Sequence, residues 1–237
     1  MPVRIKKTRK VSKQKHISST PRKRTRLSKK ARRTQLLDCA VRICADVGIS
    51  RINHADVARE ASVSVAAVFS YFPTRGALVD VILKEVRRYF IDLMMSIPRD
   101  PPAKDVLFSM LWKCLQSAQT HPQYLRVWLE WGSAVRDDIW PQYLKVQKES
   151  SGILREVLLE GQRDGNIDPE LNTEIAARML ADGSRSVASM VFADIDAKAI
   201  ESMVWNWVNG ALQLGLTHAY VAATTKTAGM RRRTPRS

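Results

Sequence analysis

The sequence predicts an all-α fold in which a compact N-terminal three-helix unit precedes a larger helical domain. Apolar residues recur at helical spacing from residue 36 onward. Capping residues and prolines divide this pattern into segments, and no segment alternates apolar and polar residues between hairpin turns. The 237 residues suffice for one or two packed units with a sizeable core.

The first predicted helix begins after Ser28, a residue type that often caps helix N-termini. Apolar residues from Leu36 to Cys44 give this helix one stripe suited to burial. Gly48 followed by Ile49 is typical of a helix end that is closed by an apolar contact.

Two very short helices are predicted next. Asn53 is placed to cap the first, with Asp56 as its returning partner, and Ser64 is placed to cap the second, over about Val65–Tyr71. Thr74 is placed to cap the longer helix that follows. A short helix, a tight turn and a second short helix form the helix-turn-helix unit, which lays a recognition helix in the major groove of DNA.

The remainder of the chain predicts longer helices. The segment from Arg75 to about residue 97 is predicted as one helix, which Pro98 ends. Later caps and prolines predict further helices near residues 103–119, 122–136, 139–163, 172–193 and 197–220.

Positive charge is concentrated at the two ends of the chain. Of 39 Lys and Arg residues, 15 lie in residues 1–33 and five in 226–237, and neither segment contains an acidic residue. Residues 34–225 therefore hold 19 basic residues against all 23 acidic ones. Such ends predict disorder in isolation and attraction to a polyanion. Residues 22–33 favour DNA contact, whereas a solubilising tail is an equal alternative for residues 1–20.

These patterns divide the chain into four predicted segments. They are a basic arm over residues 1–27, a helix-turn-helix domain over 28–74, a helical regulatory and dimerisation domain over 75–223, and a basic tail over 224–237.

The helix-turn-helix segment resembles the DNA-binding signature of the TetR family, through Ala61-x-Val63-Ser64, an aromatic residue, Tyr71-Phe72-Pro73-Thr74-Arg75 and Leu78. The segment Val63–Arg75 and the block Val127–Pro141 are similar to the HapR/SmcR/LuxR-type quorum-sensing master regulators of vibrios, over roughly residues 22–220. The resemblance implies a dimeric, ligand-modulated, sequence-specific transcriptional regulator of this quorum-sensing type.

Three positions depart from the usual residues of that branch. Ser62 stands at the turn, where a glycine or another polar residue is usual, and Ala67 and Ser70 replace Thr and Asn. Because these positions face DNA in the predicted unit, we expect a different operator sequence.

The predicted DNA contacts fall into three groups. Apolar residues of the recognition helix face bases and can pack on thymine methyls, hydroxyls and helix N-termini hold phosphates, and a basic arm enters the adjacent minor groove. The assigned residues are Val65, Ala66, Ala67 and Ser70 for the base-facing group, His54, Ser64, Tyr71, Thr74 and Arg75 for phosphates, and Arg22, Arg24 and Arg26 for the arm. Val68 and Phe69 continue the apolar stripe, which favours core packing for both.

An aromatic-rich region of the larger domain fits either a packed core or the wall of a ligand cavity. The residues alone favour packing, and the TetR resemblance favours a cavity for a small apolar or amphipathic ligand. The predicted lining is Phe90, Met94, Leu111, Trp128, Trp131 and Gln147.

The last two helices carry more apolar surface than peripheral helices need, which predicts a four-helix homodimer interface. The predicted interface residues are Val187, Met190, Val204, Val208 and Leu212, with small residues such as Gly183 and Gly210 allowing close approach. Two-fold symmetry predicts a palindromic double-stranded DNA operator.

Other classes of protein have less support. The sequence contains no glycine-rich phosphate loop, nucleophile elbow or His/Cys metal spacing, so we expect neither catalysis nor a metal or cofactor. The three cysteines lie in apolar helical contexts, which favours core thiols over a redox sensor. No apolar run is long enough to span a bilayer, and the expected location is the bacterial cytoplasm, at the nucleoid. The alternative is a sequence-indifferent nucleic-acid-binding or architectural protein driven by its basic tails.

Overall fold

The computed structural model describes residues 27–193 and 195–214, and within these ranges it contains helices and no strands. The all-α prediction is therefore confirmed. The described helices are α1 (Lys29–Val47), α2 (His54–Glu60), α3 (Val65–Phe69), α4 (Arg75–Met95), α5 (Ala103–Thr120), α6 (Pro122–Trp131), α7 (Trp140–Arg163), α8 (Thr173–Met190) and α9 (Ala197–Leu214).

Four side chains cap the helices of the N-terminal unit at the predicted positions. Each accepts a hydrogen bond from the backbone N–H three residues further on, over 3.1 Å at Ser28, 3.1 Å at Asn53, 3.2 Å at Ser64 and 3.0 Å at Thr74. The Asp56 carboxylate does not return to the backbone of Asn53 as predicted. It accepts from the side-chain amide of Asn53 over 2.6 Å, so the two side chains pair with each other.

Two left-handed backbone positions set the geometry of the N-terminal unit. Gly48 has φ +93° and ends α1, where its N–H donates to the Cys44 carbonyl over 2.9 Å. Ser62 has φ +52° in the turn between α2 and α3. This is the turn position that departs from the usual residues of the resembling regulators, and it carries backbone strain that glycine would avoid.

Helix α4 connects the N-terminal unit to the larger domain, because it packs against α1 at one end and against α5 and α6 along its length. The guanidinium of Arg87 on α4 makes two hydrogen bonds to the Glu149 carboxylate on α7. Gln142 donates to Asp80 over 2.9 Å and adds a second link between α4 and α7. One continuous set of buried apolar residues runs from α1 into the larger domain.

Helix α6 is shorter than the predicted segment 122–136, because it ends at Trp131. The carbonyl of the next residue, Gly132, accepts a hydrogen bond from the Arg185 guanidinium on α8. A Cβ at position 132 would lie 2.8 Å from the ring of Tyr143 on α7. Both contacts come from other helices, which explains why local sequence did not reveal this end. No helix among the described residues is long and apolar enough to cross a membrane.

Candidate nucleic-acid interface and effector cavity

The recognition helix α3 turns an apolar face to solvent. Val65 is 41% exposed and Phe69 is 45% exposed, and Ala66 beside them is exposed as well. Val68 lies on the opposite face and is fully buried. The core position predicted for Val68 is thus confirmed, and the one predicted for Phe69 is wrong.

The imidazole of His54 serves the interior of the N-terminal unit, while the phosphate contact predicted for its backbone N–H, at the start of α2, stays a prediction. Its side chain is buried, and its Nε2 lies 2.7 Å from the Phe72 carbonyl oxygen. Since a carbonyl can only accept, this nitrogen carries the proton. The imidazole ring also stacks on the Phe69 ring, with centroids 3.9 Å apart and planes at 8°. His54 therefore joins α2 to α3 and to the turn before α4.

Arg75 makes contacts within its own chain that its predicted role as a phosphate contact did not include. Its Nε donates to the Ile52 carbonyl over 3.1 Å and its Nη2 to the Ile49 carbonyl over 2.5 Å. The guanidinium therefore holds the loop between α1 and α2 against the start of α4.

The same loop is held from the larger domain by Glu130, a residue that the sequence did not single out for this role. The Glu130 carboxylate accepts from the Ile49 N–H over 2.8 Å. Ile49 is thus held at its N–H by an anion on α6 and at its carbonyl by a cation on α4. Charge-assisted hydrogen bonds of this kind are stronger than neutral ones, so α6 and the DNA-binding unit are mechanically connected.

The hydroxyl groups near α3 differ in what they offer to DNA. Ser64 and Thr74 accept the capping hydrogen bonds, and each keeps its own proton for donation to a phosphate. The Ser70 hydroxyl donates to the Ala67 carbonyl over 2.7 Å, so its oxygen remains available only as a hydrogen-bond acceptor. Ala67 and Tyr71 are half-buried. The arm residues that are predicted to contact DNA lie outside the described residues, namely Arg22, Arg24 and Arg26.

A small apolar cavity of about 50 Å³ lies in the larger domain. Five of the six predicted lining residues surround it, namely Phe90, Met94, Leu111, Trp128 and Gln147. Trp131 does not line it, in contrast to the prediction. Its indole Nε1 donates to the Ile139 carbonyl over 3.0 Å, and the ring packs against Trp128 and Tyr143.

Gln147 brings polarity to the wall of this cavity. Its side chain is buried, and its Nε2 donates to Asp182 on α8 over 2.9 Å. Its Oε1 is buried without a hydrogen-bond partner among the described residues. A buried acceptor without a partner lowers stability.

The predicted dimer residues divide into two groups. Val187, Val204 and Val208 are buried within the single chain, so they fill its own core and not a partner interface. Met190 and Leu212 are half-buried. Gly183 also serves the interior of the chain, because a Cβ there would overlap the Trp207 ring on α9.

The face of α9 that other helices leave uncovered carries Met203, Asn206 and Gly210, at helical spacing. Met203 is 38% exposed, and a Cβ at Gly210 would meet no atom within 4 Å. Among the described residues no group of three or more His, Cys, Asp and Glu side chains is arranged to hold a metal ion.

Sequence comparison relates this chain to bacterial regulators. Residues 36–82, from α1 to the first half of α4, match the family described as "Bacterial regulatory proteins, tetR family". The chain is 29% identical to the HTH-type transcriptional regulator LuxR of Vibrio harveyi, over 83% of this chain and 95% of that protein. It is 26% identical to the HTH-type transcriptional regulator BetI of Cronobacter sakazakii, over 51% of this chain and 60% of that one.

Solved structures share the same architecture. A TetR-like transcriptional regulator from Rhodococcus sp. RHA1 superposes with a TM-score of 0.65 at 17% identity, over 79% of this chain and 99% of that chain. The regulator FadR from Bacillus subtilis, solved in complex with stearoyl-CoA, superposes with a TM-score of 0.61 at 20% identity, over 78% of this chain and 97% of that chain. At these identities the likeness concerns the fold alone.

Proposed function

We propose that the chain is a DNA-binding transcriptional regulator of the TetR family, which binds a palindromic operator as a homodimer under the control of a small ligand. The observation that carries this proposal is the tetR-family match of residues 36–82, which falls on a capped helix-turn-helix whose second helix exposes an apolar face. The alignment with nearly the whole of LuxR supports a regulator with both domains, in the bacterial cytoplasm.

On this proposal the residues of the DNA interface have different roles. Val65, Ala66, Ala67 and Ser70 face base edges, while the hydroxyls of Ser64, Thr74 and Tyr71 contact phosphates. His54 and Arg75 support the unit from within. The described helices provide little excess positive charge, so the arm with Arg22, Arg24 and Arg26 adds electrostatic attraction and enters the minor groove.

The cavity is proposed as the effector site. Its volume of about 50 Å³ is below the roughly 300–1,000 Å³ of most ligand pockets, so binding requires it to open. Opening would displace α6, which lines the cavity through Leu125 and Trp128 and holds the α1–α2 loop through Glu130. A ligand that favours the open cavity would then shift DNA affinity. FadR from Bacillus subtilis was solved with an acyl-CoA, which supports a ligand with an apolar chain here.

Selection of bound sites from random duplex DNA tests the proposed function. We expect an enriched palindrome whose half-sites lie one helical turn, about 34 Å, apart, and whose affinity exceeds that of bulk DNA. Enrichment without a shared sequence would instead support tail-driven, sequence-indifferent binding. Removal of residues 1–26 separates the two functions, because tail-driven binding would vanish, whereas a regulator would keep its preferred half-site sequence at lower affinity and lose only the flank preference of the arm.

The arm is tested by Arg24→Ala combined with Arg26→Ala. An arginine inserted in a narrow minor groove favours A·T-rich flanks, so this variant should lose affinity and flank preference together. Deletion of residues 1–20 is the matched control, and it should weaken binding and its salt dependence while sequence preference stays intact.

A further inference from the structure

We propose that Phe69 is a specificity-determining residue that reads a thymine methyl group in each half-site of the operator, with the buried His54 imidazole as its rigid support. This inference rests on the proposed function, because it assigns a base contact within the operator complex.

The position of Phe69 on α3 directs it outward. Val68 and Phe72 are buried in the core of the N-terminal unit, whereas Phe69 is 45% exposed. Val65 lies four residues before Phe69 and is also exposed, so the two side chains share one face of the helix. The second helix of a helix-turn-helix presents its outward face to the major groove.

The His54 ring fixes the Phe69 ring. With ring planes at 8° and centroids 3.9 Å apart, one face of the phenyl group covers the imidazole and leaves the other face free. The imidazole is itself buried and bonded to the Phe72 carbonyl. Phe69 therefore loses little side-chain freedom on binding, which reduces the entropic cost of the contact.

The chemistry of this face points to thymine. A phenyl ring has no hydrogen-bond donor or acceptor for base edges, and Val65 and Ala66 beside it have none either. In the major groove the thymine C5-methyl is the apolar group that distinguishes an A·T pair. Base selection by this face must therefore depend on apolar contact.

The experiment replaces each thymine of the selected operator in turn by deoxyuridine, which pairs identically but lacks the methyl group. For the wild-type protein we expect one thymine per half-site whose replacement weakens binding about fourfold, the ratio that corresponds to about 0.8 kcal/mol per buried methyl-sized group. Replacement in both half-sites should weaken binding about 15-fold. Phe69→Ala should bind the intact operator more weakly and should respond to neither replacement.

One control variant and two further substitutions test whether the effect is specific to Phe69. Met95→Ala removes another exposed apolar side chain, on α4, and should keep the full response to methyl removal. His54→Leu replaces the stacked imidazole by an aliphatic side chain and removes the hydrogen bond to the Phe72 carbonyl, so it should show a reduced response to methyl removal, with its folding checked by circular dichroism. Phe69→Tyr keeps the stacked ring, so in this variant the replacement of the same thymine by deoxyuridine should again weaken binding about fourfold.

The outcomes separate this inference from the proposed function. If Phe69→Ala and the wild type respond equally to every methyl removal, Phe69 does not read thymine, although the operator proposal stands. A uniform loss of affinity on all sequences would assign Phe69 to backbone contact and would also overturn the inference. If no palindrome is selected in the first place, the proposed function itself fails.

Discussion

At the residue scale, two polar or charged side chains hold the geometry of the N-terminal unit. Arg75 and His54 occupy positions where a DNA contact is the natural interpretation, yet both bond backbone carbonyls of their own chain. A guanidinium that bridges two loop carbonyls positions a helix, because those carbonyls would otherwise lack partners after burial.

The role of Arg75 can be separated from phosphate contact by substitution with alanine. Loss of hydrogen bonds to a charged donor should reduce the free energy of unfolding by about 1–2 kcal/mol, measured by urea denaturation. The dependence of operator affinity on salt should keep its slope. A slope reduced by about 0.9 with unchanged stability would show that Arg75 neutralises a phosphate instead.

The three cysteines should be unreactive in the folded protein. Burial raises the pKa of the Cys44 and Cys114 thiols to about 12. Burial also raises the pKa of Cys39, which the nearby Arg42 only partly offsets. A raised thiol pKa keeps the protonated, non-nucleophilic form dominant up to the shifted pKa, so all three remain thiols at neutral pH.

Labelling with a disulfide reagent near neutral pH, followed by mass spectrometry, tests this expectation. The native protein should react slowly at every cysteine and the denatured protein rapidly at all three. Fast labelling of one cysteine in the native state would support the redox-sensor interpretation for that residue.

At the element scale, the packing of α8 against α9 depends on one glycine. Gly183 lies where the Trp207 indole crosses α8, and an added Cβ would overlap that ring. Because the clash involves a bulky ring between two packed helices, it cannot be relieved by rotation of a flexible side-chain tip.

Gly183→Ala should therefore lower the free energy of unfolding by about 1–3 kcal/mol. The matched control is Gly152→Ala on α7, where a Cβ would meet no atom within 4 Å. The control should stabilise the protein by about 0.5–1 kcal/mol, since alanine is the better helix former. Equal effects in the two variants, measured by thermal unfolding, would contradict the packing argument.

At the scale of the whole molecule, the proposed dimer must use surface that a single chain leaves open. Val208 is fully buried within the chain, whereas Met203 on the same helix is 38% exposed. A charge introduced at Val208 would lie in the protomer core, whereas a charge introduced at Met203 would lie on the uncovered face of α9. The two substitutions should therefore have different consequences.

Met203→Glu should yield a folded monomer in sedimentation experiments, because two-fold symmetry brings two new carboxylates together on the uncovered face of α9. Val208→Glu should lose its cooperative thermal transition, since it buries an unpaired charge within the chain. Met95→Glu, at a 58% exposed position on α4, is the control and should remain a folded dimer. A Met203→Glu variant that stays dimeric would exclude this face of α9 as the interface.

The sequence by itself determined the helical class, the four caps of the N-terminal unit and the helix-turn-helix, because caps and helical periodicity are local properties of the chain. The sequence also indicated an apolar cluster on facing helices of the larger domain, but its residues alone favoured a packed core. The cavity beside Phe90 and Trp128 followed only from the resemblance and the packing of the helices. The tertiary structure decided which of the candidate residues use their rings or hydrogen-bonding groups within the chain and which present them to solvent. Phe69, His54 and Arg75 each depend on partners from another helix or a loop distant in sequence, and spacing along the chain carries no information about those partners.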